Sequence, residues 1–125
     1  MLAWLKYSTT HLSSQGITEY GVANMKFPPV LPSSEAVLVR YGLPFGLDVA
    51  PPNENGLCLC TKDGKGGEKV GDVLRFTTYW RGKQPGLFDV VKMSKSWDNI
   101  VKALVSNDLG VTDEIVLVFE RPVAE

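Results

Sequence analysis

The sequence predicts an α+β protein, a small, partly open β-barrel or sandwich of about five strands with one main amphipathic helix. Two observations carry this prediction. Between Leu43 and Trp80, three short β-prone runs alternate with clusters of Gly, Pro and Asn, which is typical of strands joined by tight turns. Further along, the stretch from Ser96 to Asn107 repeats its apolar residues at helical spacing.

Length and charge limit the classes of function. At 125 residues the chain is expected to form one domain with a real core. Its net charge of −1 argues against a general electrostatic attraction to nucleic acid or anionic lipid. No apolar run is long enough to span a bilayer. We therefore expect no nucleic-acid partner, no transmembrane segment, and a position peripheral to a membrane at most.

The first 34 residues are expected to form an extended N-terminal arm. Residues 2–7 favour one or two helical turns, and the run from Pro28 to Pro32 favours a stiff, extended linker. Aromatic residues such as Trp4, Tyr20 and Phe27 provide apolar contacts. An arm so rich in Ser, Gly and Pro seldom orders unless it lies against a surface. That surface is either its own domain or a partner.

Residues 35–121 form the predicted domain, and residues 122–125 a short C-terminal tail. The predicted strands are Glu35–Arg40, Leu47–Ala50, Leu57–Thr61, Val73–Tyr79, a short return at Leu87–Lys92, and Glu114–Arg121. The last strand is expected to be central because its apolar run hardly alternates. Between the third and fourth strands lies a glycine-rich stretch, residues 62–69, which is interpreted as a flexible charged loop. Residues 81–85 are interpreted as an excursion from the sheet.

The predicted helix from Ser96 to Asn107 has the clearest local signals. Its apolar residues lie on one stripe, Ser96 is a natural N-cap, and Asp98 suits the positive end of a helix dipole. Asn107 and Gly110 are plausible stop signals. The residues of the stripe are Trp97, Ile100, Val101, Leu104 and Val105.

Catalytic chemistry has little support in the sequence. Residues 92–96 spell K-M-S-K-S, a signature of class I aminoacyl-tRNA synthetases, but the chain has neither their partner motif nor their length, so we interpret this loop as the approach to the helix. A serine triad would have to use His11, in the irregular arm. Cys58 and Cys60 are expected to be reduced, packed thiols on one strand face, which fits a reducing compartment. We expect no enzyme activity, metal or cofactor.

The order of the elements resembles that of a PDZ domain over residues 35–121. Pro44-Phe45-Gly46-Leu47 resembles the family's carboxylate-binding loop, residues 66–72 resemble its approach to the fourth strand, and the helix near Ser96 resembles its second helix. The resemblance implies a groove that binds a peptide C-terminus by strand addition beside Leu47–Ala50. It implies binding roles for Pro44, Phe45, Gly46, Leu47, Val49, Trp97 and Val101. The alternative is that the apolar members of this set simply form core.

The sequence is also similar in style to PDZ-like proteins of plastids and to small stromal accessory subunits of algal photosystem I. This resemblance implies a non-catalytic subunit that docks onto a larger protein complex, plausibly photosystem I, in the chloroplast on the stromal side of the thylakoid membrane. The second hypothesis is a free adaptor that binds peptide C-termini. Substitution of Phe45 or Val101 separates the two, because only the adaptor should then lose its partner while staying folded.

Overall fold

The computed structural model describes residues 3–4 and 26–123, with side chains from residue 27 onward. Within these residues it contains one α-helix, a four-stranded antiparallel sheet and a two-stranded ribbon, so the α+β prediction is confirmed. The elements are β1 (Ala3–Trp4), β2 (Lys26–Phe27), β3 (Ser34–Gly42), β4 (Val73–Arg81), β5 (Gln84–Asp89), α1 (Trp97–Val105) and β6 (Glu114–Pro122).

The main sheet has the order β3-β6-β4-β5 and does not close on itself. Strand β6 pairs with β3 over its whole length, from Glu114 opposite Gly42 to Pro122 opposite Ser34, and with β4 on its other side. The prediction that the last strand is central is therefore confirmed. A register shift interrupts the β4–β6 ladder between Leu74 and Phe76.

Two of the predicted strands do not form as strands. Leu47–Ala50 and Leu57–Thr61 meet only at an isolated bridge between Val49 and Cys60, and a second bridge joins Leu59 to Val73. Pro51 and Pro52 have no N–H to extend a ladder, and the chain turns at once, with the Asn53 side chain accepting two backbone N–H bonds. The expected barrel or sandwich of about five strands is thus an open sheet of four.

The predicted excursion at residues 81–85 is instead a tight hairpin. Arg81 pairs with Gln84, so only Gly82 and Lys83 form the turn, and Gly82 adopts a φ of 62°. The returning strand therefore begins at Gln84, three residues before the predicted start at Leu87. Pro85 is tolerated because β5 is an edge strand.

Helix α1 begins as predicted and ends two residues earlier. The Ser96 hydroxyl accepts a hydrogen bond from the Asn99 amide at 3.3 Å, which confirms the N-cap. The helix ends at Val105. The side-chain amide of the buried Asn107 then donates to the carbonyls of Ala103, at 3.2 Å, and Leu104, at 3.1 Å, and adds to the hydrogen bonds that close the last turn.

One face of the sheet carries the main core. Ile115, Leu117 and Phe119 alternate along β6 toward this face and are completely buried. They pack in one cluster with Val39, Cys58, Cys60, Leu74, Val90 and Ile100. Helix α1 and the segment 43–61 cover this side.

The opposite face of the sheet is buried as well. Val116, Val118 and Glu120 alternate with the core residues of β6 and are at most 2% exposed. The end of the N-terminal arm covers part of this face, because Phe27 is 2% exposed and its ring lies 5.3 Å from the ring of Phe76 in an edge-to-face arrangement. For this stretch, the surface that orders the arm is its own domain.

A buried carboxylate fastens the arm to β6. Glu120 accepts hydrogen bonds from the amides of Val30, at 3.0 Å, and Leu31, at 2.9 Å, from the Ser34 hydroxyl at 2.7 Å, and from the Arg75 guanidinium at 2.5 Å. Burial alone would raise the pKa of Glu120, but these four donors together lower it below its ordinary value. We call this group of five residues the arm clasp.

The other predictions for residues 2–20 of the arm are either wrong or fall outside the described residues. The helical turn predicted for residues 2–7 is wrong at Ala3–Trp4, which pair antiparallel with Lys26–Phe27 as a short ribbon. The rest of that turn, together with His11 and Tyr20, lies outside the described residues. The side chain of Trp4 is likewise not described.

The glycine-rich stretch 62–69 is more ordered than its composition indicates. The Tyr41 hydroxyl donates to the buried Glu68 carboxylate at 2.6 Å and accepts a bond from the Gly66 amide at 2.9 Å. A Cβ at Gly64 would overlap with the Glu68 carboxylate, so any larger residue there would have to displace this buried side chain. The interpretation of this stretch as flexible is therefore replaced by a loop folded around Tyr41.

Candidate binding groove

An apolar groove lies between helix α1 and the extended segment that precedes Pro51. It has a volume of about 270 Å³ and opens to solvent. Its lining side chains are Phe45, Leu47, Val49, Trp97, Val101, Leu104 and Val105. We call this space the binding groove.

The backbone of the extended segment explains why it lines the groove. From Pro44 to Val49, exposed and half-buried residues alternate, as expected for an extended chain with one face on the protein. The half-buried residues Phe45, Leu47 and Val49 pack against the main core. They form one side of the groove and also contribute to the core, so the core alternative applies to them in part, and their binding role stays a prediction.

Helix α1 supplies the other side. Trp97, Val101, Leu104 and Val105 belong to the apolar stripe that the sequence predicted, while Ile100 and Ala103 on the same helix are fully buried. The stripe is wider than the core contact requires. As a result Val105 is 63% exposed although it is a large apolar residue.

The extended segment has one unpaired edge beside the groove. The Ala50 amide donates to Leu59 at 3.0 Å and the Asp48 carbonyl accepts from Thr61 at 2.8 Å. In an antiparallel pair with this pattern the amides of Leu47 and Val49 point to the opposite side. Within the described residues, neither of these amides donates a hydrogen bond to a protein acceptor.

The loop from Pro44 to Gly46, where the extended segment begins, is held in place by contacts with the rest of the domain. The Leu43 amide donates to the Asp113 carbonyl at 3.0 Å, and the ring of Phe45 stacks on Tyr41 with centroids 6.3 Å apart. Pro44 and Gly46 are exposed. The amides of Phe45 and Gly46 donate to no acceptor in the described part of the chain.

Two further cavities adjoin the groove at Phe45. One, of about 330 Å³, is mostly apolar and is lined by Leu43, Pro44, Phe45, Val105, Asn107, Asp108 and Leu109. The other, of about 430 Å³, is polar and is lined by Tyr41, Pro44, Phe45, Gly46, Asp48, Lys62, Asp63, Gly64 and Lys65. The loop from Pro44 to Gly46 therefore lies where three cavities meet.

The groove itself carries no ionisable side chain. Three groups in or against the core beneath the groove, Tyr41, Cys58 and Cys60, have a raised pKa. Burial raises the pKa of Tyr41, helped by the hydrogen bond to Glu68. Burial raises the pKa of the Cys58 thiol to about 11, and it also raises the pKa of Cys60. Both thiols are free and buried, as the sequence predicted, so they are protonated at neutral pH and poorly reactive.

The structure brings most of the sequence-predicted site residues together. Phe45, Leu47, Val49, Trp97 and Val101 line the groove directly. Pro44 and Gly46 do not line it but belong to the adjoining cavities. Sequence reasoning placed Leu104 and Val105 on the helix stripe without assigning them to the site. Leu104 and Val105 follow Val101 at the i+3 and i+4 positions of the helix, and this spacing was the signal that could have assigned them to the site.

Among residues 27–123, no group of three or more His, Cys, Asp or Glu side chains is arranged to hold a metal ion. No helix in the described part of the chain has the length and apolar character to cross a membrane. In comparisons with known proteins, no family model, no curated protein and no solved structure matches this chain.

Proposed function

We propose that this chain is a non-catalytic protein–protein interaction module with a PDZ-like fold, and that the binding groove takes an extended segment of a partner protein. The observation that carries the proposal is the unpaired edge at Leu47 and Val49 beside an apolar groove. An extended segment gains backbone hydrogen bonds by pairing with such an edge and gains specificity from the pockets next to it.

The geometry of the edge limits the length of the pairing. Leu47 and Val49 each have an outward amide and carbonyl, and Pro51 has no N–H to continue. The partner segment therefore pairs over about three or four residues, the span between the loop at Gly46 and the proline. Because so short a pairing forms few backbone hydrogen bonds, binding also depends on the side chains of the partner segment.

The lining of the groove indicates which side chains it accepts. Every lining side chain is apolar except for the indole N–H of Trp97. A polar side chain buried here would lose its bonds to water without replacement, which costs free energy. We therefore expect apolar side chains at alternate positions of the partner segment, those that face the groove.

The end of the partner segment is proposed to lie at the loop from Pro44 to Leu47. The unpaired amides of Phe45 and Gly46 are suitable donors for a carboxylate. The polar cavity on the other side of Gly46 is lined by two lysines and two aspartates, so its charges balance and the amides carry the assignment. The resemblance of Pro44-Phe45-Gly46-Leu47 to a carboxylate-binding loop supports the same assignment. A free C-terminus is accordingly the proposed ligand.

Selection from a library of random seven-residue C-termini displayed on phage tests the proposal. We expect enrichment of C-termini with apolar residues at alternate positions, and binding that is lost when the terminal carboxylate is amidated. Val105→Gln should weaken binding at least tenfold, or about 1.4 kcal/mol. Val70→Gln is the matched control, because Val70 is also 63% exposed but lines none of the cavities described above. No enrichment over a mock selection, or equal loss in both variants, would contradict the proposal.

A second candidate function is a permanent accessory subunit of a larger complex. In this interpretation a partner covers the apolar residues that are exposed outside the groove, such as Leu109 at 68% and Val70 at 63%. That the complex is photosynthetic, with photosystem I on the stromal side of the thylakoid as the proposed partner, rests on the resemblance alone. Native purification from the source tests it: co-migration with a large membrane complex supports the subunit, and a small free species contradicts it.

A further inference from the structure

A second cavity lies on the other side of helix α1, between the helix and the β4–β5 hairpin. It has a volume of about 250 Å³. Its lining residues are Tyr79, Trp80, Phe88, Met93, Asn99, Lys102, Ala103 and Ser106. We call it the hairpin–helix cavity. It shares no lining residue with the binding groove.

The walls of this cavity are held firmly. The ring of Phe88 meets the ring of Tyr79 edge-to-face at 5.6 Å, and the Trp80 amide donates to the Ser106 hydroxyl at 3.0 Å. The Ser106 hydroxyl in turn donates to the Ala103 carbonyl at 2.6 Å. Hairpin and helix are therefore fixed relative to each other, and the space between them is preformed.

The lining offers donors and no anionic group. Among the described residues that line the cavity, only Lys102 is charged, and it is exposed. The Tyr79 hydroxyl and the Trp80 indole N–H donate to no acceptor in the described residues, and both side chains are half-buried. An apolar cavity with available donors at Tyr79, Trp80 and Lys102 fits a ligand that is apolar in one part and anionic in another.

The stretch of sequence that supplies half of the cavity lining is basic. Between residues 81 and 102 the chain has five basic and two acidic side chains, whereas the whole chain carries a net charge of −1. The Arg81 guanidinium lies 6.0 Å from the centre of the Tyr79 ring that lines the cavity. All five basic residues are exposed, and none forms an ion pair within the described part of the chain: Arg81, Lys83, Lys92, Lys95 and Lys102.

We propose that the hairpin–helix cavity is a second docking site, which takes an acidic segment of a partner protein carrying an aromatic or aliphatic side chain beside its carboxylates. The apolar side chain enters the cavity between Tyr79 and Met93, and the carboxylates lie at Lys102 and Arg81. Charge complementarity selects the acidic segment. A protein segment fits better than a lipid surface, because a concave cavity accepts single side chains and the chain as a whole is slightly negative.

This site is independent of the proposed groove and gives the chain two separate contacts with protein partners. One contact pairs with a backbone edge and buries apolar side chains, and the other is ionic and sensitive to salt. Two weak contacts on one partner reinforce each other when both are engaged at once. The charges also accelerate the encounter with an acidic partner at low ionic strength.

The test measures binding of a fluorescent random copolymer of glutamate and tyrosine to the full chain at low and at physiological salt. We expect binding that weakens steeply with salt, and at least a tenfold loss in Lys102→Glu and in Arg81→Glu. Lys69→Glu is the control, since it makes the same change of charge at an exposed lysine outside the cavity. Val105→Gln, which alters the groove, should leave this binding unchanged. Thermal unfolding followed by circular dichroism verifies that each variant is folded.

Three comparisons give results that overturn the proposal. Polyglutamate binding as tightly as the mixed copolymer would show that the cavity contributes nothing beyond charge. An equal loss in Lys69→Glu would show that only net charge matters. Binding to vesicles with anionic lipid in preference to the copolymer would assign the basic surface to membranes. Failure of phage selection at the groove, by contrast, leaves this result unaffected.

Discussion

Replacing Glu120 by glutamine tests whether the arm clasp holds the N-terminal arm to the domain. The substitution keeps the shape of the side chain but removes its charge. It leaves Arg75, which is 3% exposed, without its carboxylate partner. It also places an NH2 group among donors, because the amides of Val30 and Leu31 and the Ser34 hydroxyl all point at the two oxygens of Glu120.

The expected magnitude follows from burial. Removing one partner of a buried ion pair typically costs about 3–5 kcal/mol, since the remaining charge is uncompensated. Glu120 is completely buried, so we expect Glu120→Gln to lower the free energy of unfolding by about this amount at pH 7. Such a loss is a large fraction of the total for a small domain, typically about 5–15 kcal/mol.

Glu114→Gln provides a matched control on the same strand. Glu114 also pairs with an arginine of a neighbouring strand, Arg40, at 2.8 Å, but both side chains are about a quarter exposed. A pair screened by water is worth about 0–1 kcal/mol. Urea unfolding at pH 7, followed by circular dichroism, compares the two variants. Equal effects of the two substitutions would refute the argument that the clasp is a strong anchor.

The pH dependence of the unfolding free energy provides a second test of the same prediction. Because the pKa of Glu120 is lowered in the folded protein, its carboxylate stabilises the fold above its ordinary pKa of 4.5. That contribution is lost as the pH falls through the lowered value. The difference in unfolding free energy between the wild type and Glu120→Gln should therefore be full at neutral pH and shrink in acid. A difference that stays constant down to low pH would contradict the assigned cause.

Three further predictions concern stability. Phe27→Ala should lower the free energy of unfolding by about 3–5 kcal/mol because it empties a buried aromatic site; a urea midpoint close to that of the wild type would contradict packing of the arm on the sheet. Gly64→Ala should destabilise the fold, since the new methyl group would overlap with Glu68, whereas Gly46→Ala has open space and should be nearly neutral by thermal unfolding. The Cys58 thiol has its pKa raised to about 11, so the folded state keeps a proton that the unfolded state loses. The free energy of unfolding should fall as the pH rises from about 9 toward 11, and Cys58→Ala should flatten this slope.

The sequence predicted the elements whose local signals are strong. Helix α1 follows from its N-cap at Ser96 and its apolar stripe, and β3, β4 and β6 follow from long β-prone runs between turn signals. Five of the seven residues that line the binding groove were named as site residues from the resemblance of the Pro44 loop and the helix to known elements: Phe45, Leu47, Val49, Trp97 and Val101. These side chains meet because the extended segment and helix α1 lie on the two sides of the binding groove.

Elements whose formation depends on distant partners were predicted less well. The hairpin turn at Gly82 was misplaced because Pro85 and Gly86 also resemble turn residues, and only pairing across the strands decides between them. Leu47–Ala50 has strand composition but finds only one bridge partner, at Cys60. Its missing second partner is the reason that it offers a free edge.

The role of the arm was left open by the sequence, although one signal was present. The continuous apolar run from Ile115 to Phe119 was interpreted as a sign of a central strand, and it also requires cover on both faces of the sheet. Helix α1 covers one face only. The end of the arm at Phe27 supplies cover on the other, so the arm contributes to the fold of the domain.

Residue-resolved amide hydrogen exchange, with and without a C-terminal peptide obtained by selection, tests the central claim most directly. If the partner segment pairs with the free edge, the amides of Leu47 and Val49 should exchange rapidly in the free protein and slowly in the complex. The Ala50 amide, which already donates to Leu59, should be protected in both states and serves as the internal control. A peptide that binds without protecting Leu47 and Val49 would contradict binding by strand addition.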